Sequence, residues 1–184
     1  MGLDSVAFVI ALEESFGIEI PDASAERMLT PRDVIDYLAG VLPLAETGRC
    51  LSQHAFYQLR AALRLRSGIS DAAITPDSEL DRVVPRHERS TAWEEIRSDL
   101  GAKSFPGPPA ERDWLGRLSW WKPRRPCQVV RHVVAYSARS LLEADAWTSS
   151  QINEVVVTLC EVEFGINMRH FSLDSEFGRD LGVD

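Results

Sequence analysis

Apolar positions along the chain recur mainly with the spacing of an α-helix. Thr30-Pro31 suits an N-cap followed by proline at the first helical position, and Gly17 suits a helix end. No segment has the period-two alternation of strands joined by hairpin turns. The pattern therefore predicts an all-α protein. The predicted helices are Ser5–Phe16, a short one within Ala23–Leu29, Pro31–Leu42, His54–Arg66, Arg86–Leu100, Gln128–Leu142, and a last one that Ser149 or Ser150 caps and that runs to about Phe164.

The first predicted helix is apolar in its first half and acidic near its end. Its inward face is predicted to consist of residues at helical spacing: Val6, Val9, Ile10 and Phe16. Glu13 and Glu14 then face solvent. Asp4 or Ser5 is expected to cap the first amides, because short polar side chains accept hydrogen bonds there.

An internal repeat divides the chain into parts. Residues 68–80 match residues 165–177 at a constant offset of 97, and each copy follows a predicted helix. Two weaker matches link the N-terminal region to the middle: the helix ending at Phe16-Gly17 matches the one ending at Leu100-Gly101, and residues 33–37 match part of 128–136. We therefore expect three parts: residues 1–46, a complete unit at 47–148 with an insertion rich in Pro and Trp, and residues 149–184.

Charge divides the chain at nearly the same places. The chain has 184 residues, is 45% hydrophobic and has a net charge of −8, which fits a globular protein. Residues 1–46 have a net charge of −7, residues 47–142 of +6 and residues 143–184 of −7. The similarity of the two ends bears on partners rather than on fold. The basic stretch at 112–125 contains tryptophans, but an acidic chain does not favour nucleic-acid binding, and these side chains are expected to pack the insertion.

Several classes of site are disfavoured. The three cysteines (Cys50, Cys127 and Cys160) form no Cys-x-x-Cys motif, so they are expected to be free thiols in a reducing compartment, with no metal site. The four histidines are scattered, and no catalytic constellation predicts an enzyme. Neither a secretory signal nor an apolar membrane span is apparent, so a cytoplasmic location is expected.

Ser5 is the strongest candidate for chemistry. It follows Asp4 at the start of an apolar helix, and an acidic loop follows that helix. Free amides and the helix dipole favour an anion at a helix N-terminus, so a phosphodiester on this hydroxyl would be stabilised. The alternative is that Ser5 only caps the helix.

Residues 2–42 resemble acyl carrier proteins. Four motifs carry the resemblance: Gly2-Leu3-Asp4-Ser5-Val6, Ala11-Leu12-Glu13-Glu14, Phe16-Gly17-Ile18-Glu19-Ile20-Pro21-Asp22 and Asp33-Val34-Ile35-Asp36-Tyr37-Leu38. Members of that family are four-helix bundles in fatty-acid, polyketide or peptide synthesis. They hold an acyl or aminoacyl group as a thioester on a 4'-phosphopantetheine arm. The resemblance implies that Ser5, next to Asp4, carries this arm.

The resemblance also implies partners, namely a phosphopantetheinyl transferase and acyl-transfer or synthase enzymes. The residues expected to contact them are Val6, Glu13, Glu14, Glu19 and Asp22. The acidic residues among them could equally belong to a solvated helix face that contacts no partner. An alternative function is an unmodified carrier-like adaptor that only binds other proteins.

The chain departs from the family before Ser5, where the first helix and its loop are missing. Residues 154–184 look like that helix and loop, and they end in Asp180-Leu181-Gly182-Val183-Asp184, a sequence that the family places before its serine. We therefore expect residues 149–184 to pack on residues 1–46 and complete one bundle. Alternatively, the true start lies upstream, or the end is half of a degenerate repeat. In the middle unit Arg89 aligns with Ser5, so that copy is expected to be unmodified.

Overall fold

The computed structural model of the chain describes residues 2–84, 89–109, 123–166, 168–169 and 171–183. These ranges contain no β-strand, and one isolated bridge joins Leu44 to Trp147. The predicted all-α class is therefore confirmed for the described residues. Their helices are α1 (Leu3–Phe16), α2 (Asp22–Ala25), α3 (Pro31–Val41), α4 (Leu51–Ser67), α5 (Leu80–Val83), α6 (Arg89–Leu100), α7 (Pro126–Ser137) and α8 (Ser149–Phe164), with 3-10 turns at Asp71–Ala73 and Ala138–Leu141.

The chain folds into two compact units. Met1–Leu51 and Val134–Asp184 form one of them, called the terminal unit below, and Ser52–Val133 form the other, called the central unit. The boundaries between the units fall near the start of α4 and within α7.

In the terminal unit, α1 and α3 both pack against α8. Helix α8 is amphipathic, and its buried side chains include Ile152, Val155, Val156, Leu159 and Cys160. Burying an aliphatic side chain stabilises the fold by about 1.5–3 kcal/mol. Helices from the two ends of the sequence therefore share one core.

The predicted inward face of α1 is wrong at two positions, because Val6 and Ile10 are 42% and 48% exposed. Phe8 and Leu12 are buried with Phe16, at a spacing of four residues. Residues 6–12 are all apolar, so periodicity alone does not select a face. Packing against α8 makes that choice.

The helix ends agree with the sequence in part. Thr30 caps α3 as predicted, in a reciprocal capping box with Asp33, and Gly17 ends α1 in the left-handed conformation. Helix α8 is capped by Thr148 instead of Ser149 or Ser150, because Gln151 stands three residues later and completes a capping box. Helix α7 ends at Ser137, earlier than predicted, and continues as a 3-10 turn.

The central unit has its own core. Its fully buried side chains include Leu59, Leu63, Ile74, Leu80, Trp93 and Ile96. Trp93 Nε1 donates a hydrogen bond to the Pro106 carbonyl at 2.7 Å, which ties α6 to the segment after it. Trp114, Trp120, Trp121 and the basic residues Arg112, Arg117 and Lys122 of the predicted insertion lie outside the described residues.

The cysteines provide a test of the terminal core. Cys160 is buried, and burial raises the pKa of its thiol to about 12, whereas Cys50 is exposed. Because the thiolate is the reactive form, we expect iodoacetamide to label Cys50 quickly and Cys160 only after unfolding. Peptide mass spectrometry with and without denaturant measures this. Equal labelling of both cysteines in the folded protein would contradict the buried position of α8.

Candidate functional site

Ser5 lies in the first turn of α1. The helix begins at Leu3 with Gly2 as N-cap, and no side chain caps it, so the prediction that Asp4 or Ser5 is the cap is wrong. An N-cap needs extended backbone, and both residues are already helical. The first amides of a helix have no acceptor within it, and Ser5 stands beside them, half-buried. This position suits an anion attached to the serine.

An apolar cavity of about 290 Å³ lies against Ser5. Its walls come from α1, the α2–α3 region, the end of α8 and the segment 176–183, all within the terminal unit. Helix α1, the α2–α3 region and the end of α8 contribute apolar side chains, which include Phe8, Val9, Leu12, Met28, Leu29, Val34 and Phe164. The cavity combines a hydroxyl with an aliphatic and aromatic interior, an arrangement that was not predicted from the sequence.

Three aromatic rings line one side of the cavity. Phe8 lies 4.9 Å from Phe164 and 5.3 Å from Phe177, measured between ring centroids. The ring of Phe164 lies 5.9 Å from that of Phe177, edge on. Tilted and edge-on pairs at these distances are favourable. The cluster therefore joins α1, α8 and the C-terminal segment around the cavity.

Hydrogen bonds also hold the C-terminal segment in place. The backbone N–H of Arg32 donates to the Leu173 carbonyl at 3.0 Å, and the backbone N–H of Phe177 donates to the Leu29 carbonyl at 2.9 Å. The Arg32 guanidinium also binds both carboxylate oxygens of Asp174. These hydrogen bonds lower the pKa of Asp174. The segment is thus attached to the start of α3 and forms one wall of the cavity.

A charged pair lines the cavity on the same side. Arg179 lies 3.3 Å from Glu176 and also hydrogen-bonds Asp180. The hydrogen bond from Arg179 lowers the pKa of Asp180, whose carboxylate also accepts the Glu176 N–H. Arg179 thus places a cation at a cavity that Ser5 also lines.

The predicted partner residues do not all behave alike. Val6, Glu14, Glu19 and Asp22 are exposed, as a docking surface requires. Glu13 is half-buried, and its carboxylate accepts a hydrogen bond from the Ile20 N–H at 2.6 Å. Its observed contact is therefore structural, because it holds the loop that follows α1.

Sequence reasoning missed part of this surface. Leu3 is 89% exposed and shares a face of α1 with Val6 and Ile10, at a spacing of three and four residues. An exposed apolar stripe of this kind is typical of a contact site. The signal was present in the sequence, but the wrong choice of inward face concealed it.

The C-terminal end of α1 is covered by residues 134–147. The buried Ser15 hydroxyl donates to the Ala135 carbonyl, and the Phe16 ring lies 4.6 Å from the Trp147 ring. Gly17 has a positive φ of 67°, and a Cβ there would collide with the Arg139 guanidinium. The accessible surface of α1 is therefore concentrated toward Ser5.

In the central unit, the position aligned with Ser5 is filled differently. Arg89 is only 5% exposed and forms an ion pair of 2.8 Å with Asp81. A buried guanidinium cannot accept a group that is attached through a hydroxyl. The neighbouring Ser90 is exposed in the first turn of α6 and serves below as a control.

One of the scattered histidines contacts a serine hydroxyl. His132 Nε2 lies 3.0 Å from Ser104 Oγ in the central unit, and burial lowers the pKa of the imidazole. Both side chains are half-buried, and neither lines the cavity beside Ser5. This hydrogen bond ties the segment after α6 to α7.

The described residues contain no cluster of His, Cys, Asp and Glu side chains that could hold a metal ion. In the same part of the chain, no helix has the length and hydrophobicity needed to cross a membrane.

Comparison with known proteins finds similarity to acyl carrier proteins over a short stretch. The acyl carrier protein of Thermosynechococcus vestitus is 56% identical over 36 residues, which are 20% of this chain and 44% of that protein. That of Campylobacter hominis is 56% identical over 36 residues, or 20% of this chain and 46% of that protein. The chain thus spans less than half the length of these relatives. No family model and no solved structure matches it.

Proposed function

We propose that this protein is an acyl carrier in which Ser5 holds a 4'-phosphopantetheine arm through a phosphodiester. The observation that carries the proposal is the position of Ser5, in the first turn of α1 and at an apolar cavity of about 290 Å³. The similarity to acyl carrier proteins supports it. The protein itself is not an enzyme in this proposal, because partner enzymes make and break the bonds to the cargo.

The residues around Ser5 fit the arm. Ser5 supplies the oxygen for the phosphodiester, and the positive end of the α1 dipole stabilises the phosphate charge. When bound, the arm supplies a thiol that carries an acyl or aminoacyl group as a thioester. The apolar side chains of the cavity exclude water from an aliphatic chain beside Ser5. Asp4, exposed in the same turn, borders the surface that a transferase must approach.

Partner enzymes would dock on the exposed part of α1 and the loop after it. Val6 supplies apolar contact beside Ser5, while Glu14, Glu19 and Asp22 supply negative charge. Opposite charge on a partner speeds the encounter of two proteins. Glu13 would contribute by holding the loop in position, through the Ile20 N–H.

We further propose that the carrier bundle is assembled from both ends of the chain. Helices α1 and α3 pack on α8, and the segment that follows α8 contributes Phe177 and Val183 to the cavity. The central unit is then an unmodified insertion, which the buried Arg89 supports.

Intact-mass measurement tests the function. We expect coexpression with a phosphopantetheinyl transferase of broad specificity to add the mass of one arm. Absence of any added mass would overturn the carrier function and favour the alternative, an unmodified adaptor. The exposed stripe Leu3, Val6 and Ile10 keeps that alternative open, since it suits protein contacts with or without an arm.

A further inference from the structure

Helix α4 of the central unit has an exposed face that is aromatic and basic. Tyr57, Arg60 and Arg64 lie on this face at a spacing of three and four residues. Tyr57 is 49% exposed, and Leu65 at the edge of the face is 76% exposed. Large exposed side chains beside basic groups are typical of interaction surfaces.

Arg60 is held in position by two rings. Its guanidinium carbon lies 5.0 Å from the Tyr57 ring centroid and 5.6 Å from the Phe56 ring centroid. These are favourable cation–π distances. Arg64 on the same face pairs with Asp71 at 3.5 Å. Within the described ranges, Arg60 forms no ion pair with a carboxylate, so its charge is available to an acidic partner.

The terminal unit offers the complementary surface. It contains eighteen acidic and six basic residues, a net charge of −12, whereas the central unit contains ten acidic and fourteen basic residues, a net charge of +4. The exposed stripe of α1 (Leu3, Val6 and Ile10) has the same spacing as Tyr57, Arg60 and Arg64. Glu14 continues this stripe toward the end of α1.

We propose that two copies of this chain associate, with the α1 stripe of one copy packed on the α4 face of the other. Glu14 would meet Arg60, and Ile10, one turn earlier on α1, would pack against Tyr57, one turn earlier on α4. Opposite charge steers such an encounter and weakens it at high salt. Each copy has both an α1 stripe and an α4 face. The contact joins one to the other, so it is heterologous.

Such an association bears on the proposed carrier function. It covers the part of α1 beside Ser5 in the copy that contributes its α1 stripe, so that copy is shielded from partner enzymes. The contact itself requires no arm on Ser5. Protein purified without a transferase therefore tests the association alone, and its failure leaves the carrier function untouched.

Sedimentation velocity at increasing concentration measures the association. We expect the wild-type sedimentation coefficient to rise with concentration at low salt and to fall back at high salt. Arg60→Glu and Ile10→Arg should each weaken association by about tenfold or more, since each places like charges together. Arg82→Glu is the matched control, because Arg82 is exposed on α5 and should leave association unchanged.

Mixing the two disruptive variants gives the sharpest result. Arg60→Glu keeps an intact α1 stripe and Ile10→Arg keeps an intact α4 face, so together they can form one wild-type contact. At a concentration where neither variant associates alone, we expect the mixture to give a one-to-one complex, which also shows that both variants are folded. A wild-type chain that stays monomeric, or a mixture that stays monomeric, would overturn the proposal.

Discussion

Leu159→Ala is expected to destabilise two helices that lie far from it in the sequence. Leu159 is fully buried on α8, which packs against α1 and α3. Removing a buried leucine side chain costs about 2–5 kcal/mol, through lost burial and the cavity that remains. This is a large share of the roughly 5–15 kcal/mol by which a typical domain is stable. The terminal unit should therefore lose much of its stability.

Hydrogen exchange read by mass spectrometry locates the effect. We expect the amides of α1 and α3 to exchange roughly thirtyfold faster or more in Leu159→Ala, because opening becomes that much more favourable. The matched control is Val162→Ala on the same helix, where the side chain is 37% exposed and the cost should be about 0.5 kcal/mol or less. Unchanged exchange in α1 and α3 of Leu159→Ala would show that α8 does not support them.

Ser5→Ala is expected to abolish attachment of the arm completely. The substitution removes the only oxygen through which the proposed phosphodiester forms. The Ser5 side chain is only half-buried and does not cap α1. The change should therefore cost little stability. Intact mass after coexpression with the transferase should equal that of the bare chain.

The central unit provides the control for this variant. Ser90 is exposed in the first turn of α6, one position after the buried Arg89. We expect Ser90→Ala to receive the arm as the wild type does. An adduct that persists in Ser5→Ala would place the attachment elsewhere and reject Ser5 as the site.

Local signals in the sequence predicted the helices well. Thr30-Pro31 determines where α3 begins and Gly17 where α1 ends, because capping and backbone conformation depend on only a few neighbouring residues. Where a predicted helix end was wrong, neighbouring residues compete for the same role. Thr148, rather than one of the two serines that follow it, caps α8.

Such local signals could not predict which face of α1 is buried. Its apolar run from Val6 to Leu12 fits more than one inward face, and packing against α8 determines which one is buried. The cavity beside Ser5 was also inaccessible from the sequence, since its walls come from segments more than a hundred residues apart. The resemblance identified Ser5 as a candidate, whereas its surroundings required the three-dimensional structure.

The central claim is that Ser5 is modified on a bundle that both ends of the chain build together. The rate of arm attachment by a purified transferase, followed by intact mass, tests it for the full chain and for a chain that lacks residues 149–184. We expect the full chain to gain one arm and the truncated chain to gain none, because α1 and α3 lose the helix on which they pack. Attachment at equal rates in both chains would contradict the account.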